Sequence, residues 1–155
     1  MLFEKYKDVD KAIPCLIGQN KFKKVLLPLD FSVHSGKVLG QLIDISNLIE
    51  EVVLLSVVEG AYNDEALLKA TQEKEQKLES VKDDLLKLGL KVKTMVCQGS
   101  ASTNIVEVAE QEEARLIAMA TRGESLIKDL LLGSTSHSVA RRSKRPLLLI
   151  PSPQV

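Results

Sequence analysis

The sequence predicts an α/β protein, with an open, doubly wound sheet of five parallel strands and helices on both faces. Short apolar runs alternate with longer amphipathic segments from Phe22 almost to the end of the chain. Most of these apolar runs lack the polar alternation of strands that have one face in water. Because the crossovers between parallel strands are right-handed, this β-α alternation places helices on both sides of the sheet. The expected architecture is therefore Rossmann-like.

Five segments have the length and composition of strands, and they lie at 25–29, 52–58, 90–97, 116–120 and 146–150. The second is rich in β-branched residues, which favour strands. The third alternates apolar and polar residues, so we expect it near an edge of the sheet. The first helix is predicted from the apolar spacing between Val38 and Ile49.

A long charged segment, 63–88, separates the second and third strands. Its Glu and Lys residues are spaced to pair along one helix, so we interpret the charged run as a solvated helix face. Gly89 is suited to end this helix in the left-handed conformation. Ser102 or Thr103 is the expected cap of the third helix, and a fourth helix follows Ser134.

Length and composition indicate one soluble domain, which we place at 21–152, preceded by an N-terminal arm at 1–20 of unknown role. The chain has 155 residues, with 21 basic and 21 acidic side chains and only 3% aromatic residues. A neutral, aromatic-poor chain is not expected to bind nucleic acid. No apolar run approaches the length of a membrane span, and Cys15 and Cys97 lack metal-ligand spacing. We expect a cytoplasmic protein with free thiols.

Ligands of open parallel sheets bind beyond the carboxyl ends of the strands, where the strand order reverses. Asp30 follows the first strand, Val57 to Glu59 end the second, and the stretch 120–136 follows the fourth. In that stretch Gly123 follows a strand, and Gly133 precedes three hydroxyl residues at a helix start. Glycines and free helix N–H groups suit a phosphate. The alternative is a plain turn at Gly123 and an N-cap at Ser134.

The chain resembles the universal stress protein family from about Lys21 through Pro151. The nucleotide-binding branch of that family carries Gly, two residues, Gly, nine residues, then Gly followed by Ser or Thr. Here Gly123, nine residues, Gly133 and Ser134 match that motif, with Ala120 at the position of the first glycine. The segments 28–32, 53–58 and 143–151 also match the family's pattern.

The resemblance implies that the chain binds ATP or another adenine nucleotide, with Mg²⁺ or Mn²⁺ near Asp30. It also implies a homodimer through the final strand, Leu147–Ile150, since an open apolar edge invites pairing with a second chain. The resemblance assigns the nucleotide site to Pro28, Leu29, Asp30, Val57, Ala120, Thr121, Arg122, Gly123, Gly133, Ser134, Thr135 and Ser136.

Three functions are compatible with these residues. The first is a nucleotide-binding regulatory module of the stress response, which we favour. The second is a slow ATP hydrolase or phosphate-transfer enzyme resting on Asp30 and His137, although no triad, zinc motif or Walker set supplies a general base. The third is a stress-related homodimer without nucleotide, to which Ala120 lends support. We assign no catalytic residue, and we expect His34 to be solvated on the first helix.

Overall fold

The structure is a computed structural model that describes residues 22–122 and 132–151. Its strands are β1 (Phe22–Pro28), β2 (Ile49–Val58), β3 (Lys91–Gln98), β4 (Leu116–Ala120) and β5 (Leu147–Ile150). Its helices are α1 (Val33–Asp44), α2 (Asp64–Leu86), α3 (Ala101–Gln111) and α4 (Ser134–Arg142), with a 3₁₀ turn at Ser46–Leu48. The proposed arm at 1–20 and Gly123 lie outside the described residues.

The five strands form one sheet in the order β3-β2-β1-β4-β5, and every neighbouring pair is parallel. This confirms the predicted five-stranded parallel sheet and the edge position of the third strand. From β1 the chain winds outward through β2 to β3, then returns to place β4 on the other side of β1. The strand order therefore reverses between β1 and β4, where a crevice for ligands is expected.

Two apolar clusters cover the two faces of the sheet. On one face, Val38 of α1 and Leu78 of α2 pack against β-strand residues such as Leu54. On the other face, Ile105 of α3 and Val139 of α4 pack against residues that include Leu55. Neighbouring residues of a strand point to opposite faces, so the buried stretches of the central strands are apolar on both faces, with Ser56 of β2 as the buried polar exception. This explains why β1, β2 and β4 show no polar alternation in the sequence.

Side chains cap the first three helices at their N-termini. The cap residues are Ser32 for α1, Asn63 for α2 and Ser100 for α3. The prediction that Ser102 or Thr103 caps the third helix was wrong. Ser100 has an extended backbone directly after Gly99, whose φ of +110° turns the chain out of β3, so the helix begins earlier than expected.

Gly89 follows α2 with φ of +80°, and this confirms its predicted left-handed conformation after the helix. Most charged side chains of α2 are exposed, as predicted for a solvated face. Lys74 is an exception, because it is half-buried and its ammonium group lies against β2. No helix in the described part of the chain is long and apolar enough to cross a membrane.

Candidate functional site

A cleft of about 280 Å³ opens at the carboxyl end of the sheet, at the switch between β1 and β4. The ends of β1, β2 and β4 contribute to its lining together with the first turns of α1, α3 and α4. The lining residues are Pro28, Leu29, Asp30, Ser35, Leu55, Val57, Glu59, Ala101, Ile105, Met119, Ala120, Arg122, Gly133, Ser134, Thr135 and Ser136.

The part of the lining on the α3 and α4 side of the sheet is apolar. Leu55, Ile105 and Met119 belong to the cluster on that face, and Val57 packs against it. All four side chains line the cleft. This surface is suited to a flat apolar ring.

The backbone of Val57 extends past the end of its neighbouring strand. Pairing between β1 and β2 ends with Pro28 opposite Leu55, and the N–H of Leu29 donates to the carbonyl oxygen of Leu55 over 2.8 Å. Backbone groups of alternate residues point to the same side of a strand, so the N–H and C=O of Val57 also face the β1 side. They extend beyond the last residue of β1, where they can meet a ligand.

The N-terminus of α4 also opens on the cleft. Its N-cap residue is Gly133, which has no side chain with which to cap the helix. Among the residues that the structure describes, none accepts a hydrogen bond from the N–H groups of Ser134 or Thr135. Unpaired N–H groups at the positive end of a helix dipole attract anions.

Hydrogen bonds attach the start of α4 to the end of β4. The N–H of Gly133 donates to the carbonyl oxygen of Thr121 over 2.6 Å, and the Ser136 hydroxyl donates to the same oxygen. Ser136 is only 2% exposed. In this arrangement its single hydroxyl proton is engaged within the protein, so Ser136 contributes to the position of the helix.

Asp30 presents an ionised carboxylate at the cleft. Partial desolvation raises the pKa of this carboxyl, but hydrogen bonds from the Ser32 hydroxyl and N–H outweigh that effect and lower the pKa overall. Both of these bonds, at 2.6 and 2.9 Å, end on Oδ1. Neither bond from Ser32 uses Oδ2, which can therefore accept a hydrogen bond from a ligand.

Most residues of the predicted site come together in this cleft. Pro28, Leu29, Asp30, Val57, Ala120, Arg122 and Gly133 through Ser136 all line it. Thr121 does not line the cleft, and its carbonyl oxygen instead holds the start of α4. Gly123 lies outside the described residues.

The sequence analysis assigned no site role to several lining residues, and Glu59, which it placed at the end of the second strand, is the clearest case. Its carboxylate accepts a hydrogen bond from the N–H of Ala101 over 2.7 Å, which joins the end of β2 to the start of α3. Glu59 directly follows the second strand, and Ala101 is the first residue of the helix after the third strand. Both Glu59 and Ala101 therefore follow from the rule that ligands bind beyond the carboxyl ends of parallel strands.

Neither histidine lines the cleft. His34 lies on α1 as predicted, but the prediction that it is solvated was wrong. Its side chain is half-buried, and Nδ1 has no hydrogen-bond partner among the described residues. His137 is exposed on α4. Within the described ranges, no group of three or more His, Cys, Asp or Glu side chains has a metal-binding arrangement.

Comparison with known proteins assigns this architecture to one family. The model of the Universal stress protein family matches residues 21–151. Universal stress protein MJ0531 of Methanocaldococcus jannaschii is 31% identical over 149 residues, which cover 88% of this chain and 86% of that protein.

Solved structures show the same fold. The structure of MJ0577 superimposes with a TM-score of 0.80 at 31% identity, covering 86% of this chain and 99% of that one. A universal stress protein solved in complex with cAMP superimposes with a TM-score of 0.63 at 22% identity, covering 83% and 96% of the two chains. The second likeness shows the fold alone.

Proposed function

We propose that this chain, which belongs to the universal stress protein family, binds an adenine nucleotide in the cleft between β1 and β4. ATP is the nucleotide that we expect. The chain acts as a regulatory module of the stress response, whose bound state changes the surface that it offers to partners. A family member of the same fold has been solved with cAMP, which belongs to the same ligand class.

The observation that carries this proposal is the N-terminus of α4 at the cleft, which no side chain of the described residues caps. Side chains cap the other three helices, whereas α4 begins at a glycine and has N–H groups available to an anion. The phosphates of the nucleotide would accept from these N–H groups and from the exposed Ser134 hydroxyl. Arg122 also lines the cleft and adds positive charge.

The apolar part of the cleft supports adenine as the base. The ring would pack among Leu55, Val57, Ile105 and Met119. The C=O of Val57 would accept from the adenine amino group, and its N–H would donate to the ring nitrogen N1. Guanine presents an acceptor where adenine has its amino donor, and a donor where adenine has the acceptor N1. Its affinity should therefore be lower.

Asp30 would contact the ribose and lie beside the metal ion. An ionised carboxylate is an acceptor only, so Oδ2 would accept from a ribose hydroxyl. A Mg²⁺ or Mn²⁺ ion would be held chiefly by the phosphates, with Asp30 as a neighbouring oxygen donor. The ion would neutralise phosphate charge beside the carboxylate.

The same chain is proposed to form a homodimer through β5. This strand pairs with β4 on one side only, and its other side is an edge of the sheet. Leu148 on this edge is 36% exposed. Pairing with a second copy would satisfy the backbone groups of the edge and cover its apolar side chains.

Calorimetric titration of the purified protein with ATP, and mass spectrometry of ligand released on denaturation, test the nucleotide proposal. We expect about one adenine nucleotide per chain, with GTP binding at least about tenfold more weakly. Absence of both bound and titratable nucleotide would contradict the proposal and favour a dimer without nucleotide. Release of ADP in the presence of Mg²⁺ or Mn²⁺ would indicate a hydrolase.

Gly133→Val tests whether α4 holds the phosphates. The backbone of Gly133, with φ of −67° and ψ of 165°, suits valine, so the variant should fold. The branched side chain would occupy the phosphate path and abolish binding. Gly40→Val is the control, because a Cβ at Gly40 meets open space on α1, away from the cleft. Equal affinity in the Gly133 variant and the wild type would refute this site.

A further inference from the structure

Phe31 has an unusual backbone conformation beside the site. Its φ is +62°, in the left-handed region that bulky side chains rarely adopt. It directly follows Asp30, whose carboxylate faces the cleft. A strained residue persists only where surrounding contacts offset its cost, so the contacts of this turn control where Asp30 points.

Two lysines of α2 lie over the ring of Phe31. The ammonium nitrogen of Lys74 is 5.7 Å from the ring centroid, and that of Lys77 is 5.3 Å from it. Both distances are in the range of cation–π attraction. The ring also packs against the apolar cluster of that face. The side chain of Phe31 is therefore held by the sheet and by α2 together.

Lys74 also reaches the residue on the other side of Asp30. Its Nζ donates to Ser56 Oγ over 3.2 Å, and Ser56 Oγ donates to the carbonyl oxygen of Leu29 over 2.8 Å. Ser56 is 1% exposed. The ammonium group occupies a lone pair of the hydroxyl and so directs its only proton toward Leu29. One lysine is thus linked to both neighbours of Asp30, to Phe31 directly and to Leu29 through the Ser56 hydroxyl.

We propose that Lys74 is a positioning residue of the nucleotide site, holding the turn Leu29–Phe31 so that Asp30 faces the cleft. The inference rests on the proposed function for its ligand. This role of Lys74 makes α2 a regulatory element, because any change that draws Lys74 away from Ser56 and Phe31 loosens the turn and weakens nucleotide binding. Loss of the lysine charge would have the same effect.

The test compares Lys74→Met with Lys74→Arg and with Lys69→Met. Methionine keeps much of the apolar length of lysine but removes the charge and the donor. Arginine keeps both, so it should restore the wild-type behaviour. Lys69 is exposed on the same helix, and the hydrogen bond and ring contacts at the turn involve Lys74 and Lys77 instead, which makes it a matched control for the substitution itself.

Amide hydrogen exchange, measured without ligand, reports how firmly the turn Leu29–Phe31 is held. The N–H groups of Leu29 and Ser32 are hydrogen-bonded in the structure. In Lys74→Met we expect their exchange to be about three- to tenfold faster, while exchange in β4 and the melting temperature stay as in the wild type. A uniform increase across the protein would show a general stability effect and overturn the proposal.

ATP titration reports the consequence for the site. We expect Lys74→Met to weaken binding about three- to tenfold, with Lys74→Arg and Lys69→Met within about twofold of the wild type. Wild-type affinity in Lys74→Met, or no recovery with arginine, would overturn the inference. If the wild type binds no nucleotide, the proposed function fails, and the exchange measurement alone decides whether Lys74 holds the turn.

Discussion

The Ser136 hydroxyl donates a hydrogen bond to the carbonyl oxygen of Thr121 over 2.6 Å, joining helix α4 to the end of strand β4. The two residues are 15 positions apart in the chain, and the bond brings the helix start to the carboxyl end of the sheet. The N–H of Gly133 donates to the same carbonyl oxygen. The position of the proposed phosphate site therefore depends on this oxygen.

Ser136→Ala should loosen that attachment without breaking the fold. Because the Thr121 oxygen keeps the Gly133 N–H, no buried polar group loses its last partner. We expect a loss of about 1 kcal/mol in the free energy of unfolding, measured by urea denaturation, and weaker ATP binding by calorimetry. Ser138→Ala on the same helix is the control. Unchanged stability and affinity in the Ser136 variant would contradict this role.

Acid should remove the contribution of Asp30 to stability. Its folded-state pKa lies below its usual value because the hydrogen bonds from Ser32 outweigh desolvation. Such a group stabilises the protein above its unfolded-state pKa, and the contribution is lost as the pH falls through the lower folded-state value. The wild type should be more stable than Asp30→Asn at neutral pH, by at most about 1 kcal/mol at this exposed position.

Urea denaturation of both proteins at a series of pH values measures this difference. It should shrink once the pH falls below about 4. A difference that stays constant down to about pH 2 would show that the carboxylate charge is not responsible.

Ala120→Gly tests the departure from the family's glycine motif. The methyl group of Ala120 packs against the apolar cluster that includes α1, although the residue also lines the cleft. Removing it should cost about 0.5–1 kcal/mol in the free energy of unfolding. ATP affinity should change by less than about twofold, since little of the methyl group meets the ligand. Tightening of about tenfold or more would show that the methyl obstructs the ribose.

Leu148→Glu tests the homodimer. A carboxylate on the β5 edge would be buried without a partner between two copies, so the variant should be monomeric in light scattering at micromolar concentration. Leu68→Glu is the control, because Leu68 is 59% exposed on α2. A wild type that is itself monomeric, or a Leu148 variant that remains dimeric, would rule out this interface.

Much of the fold was predictable because each strand carries its own signal. The predicted segment 116–120 coincides with β4, and the third strand lies at an edge as its alternation indicated. Helix starts were less predictable, as Ser100 shows. Several hydroxyl residues near a strand end are equally suitable caps, and the turn at Gly99 selects among them.

The lining of the candidate site was predictable to the extent that a motif or a strand end marked its residues. Asp30, Val57 and Gly133 were found in this way, and all line the cleft. Lys74 was not found, since its place in a charged run is typical of a solvated face. Nothing local distinguishes it from Lys69. Its role depends on α2 packing across β2 toward Phe31.

The sequence by itself determined the parallel α/β architecture, the family and the motif that follows β4, since periodicity and spacing are local properties of a chain. Only the tertiary structure decided which groups act together. It engages the Ser136 proton with Thr121, leaves the backbone of Val57 beyond the end of β1, and links Lys74 to Phe31 directly and to Leu29 through Ser56. These relationships join residues far apart in sequence, and they arise from strand order and packing.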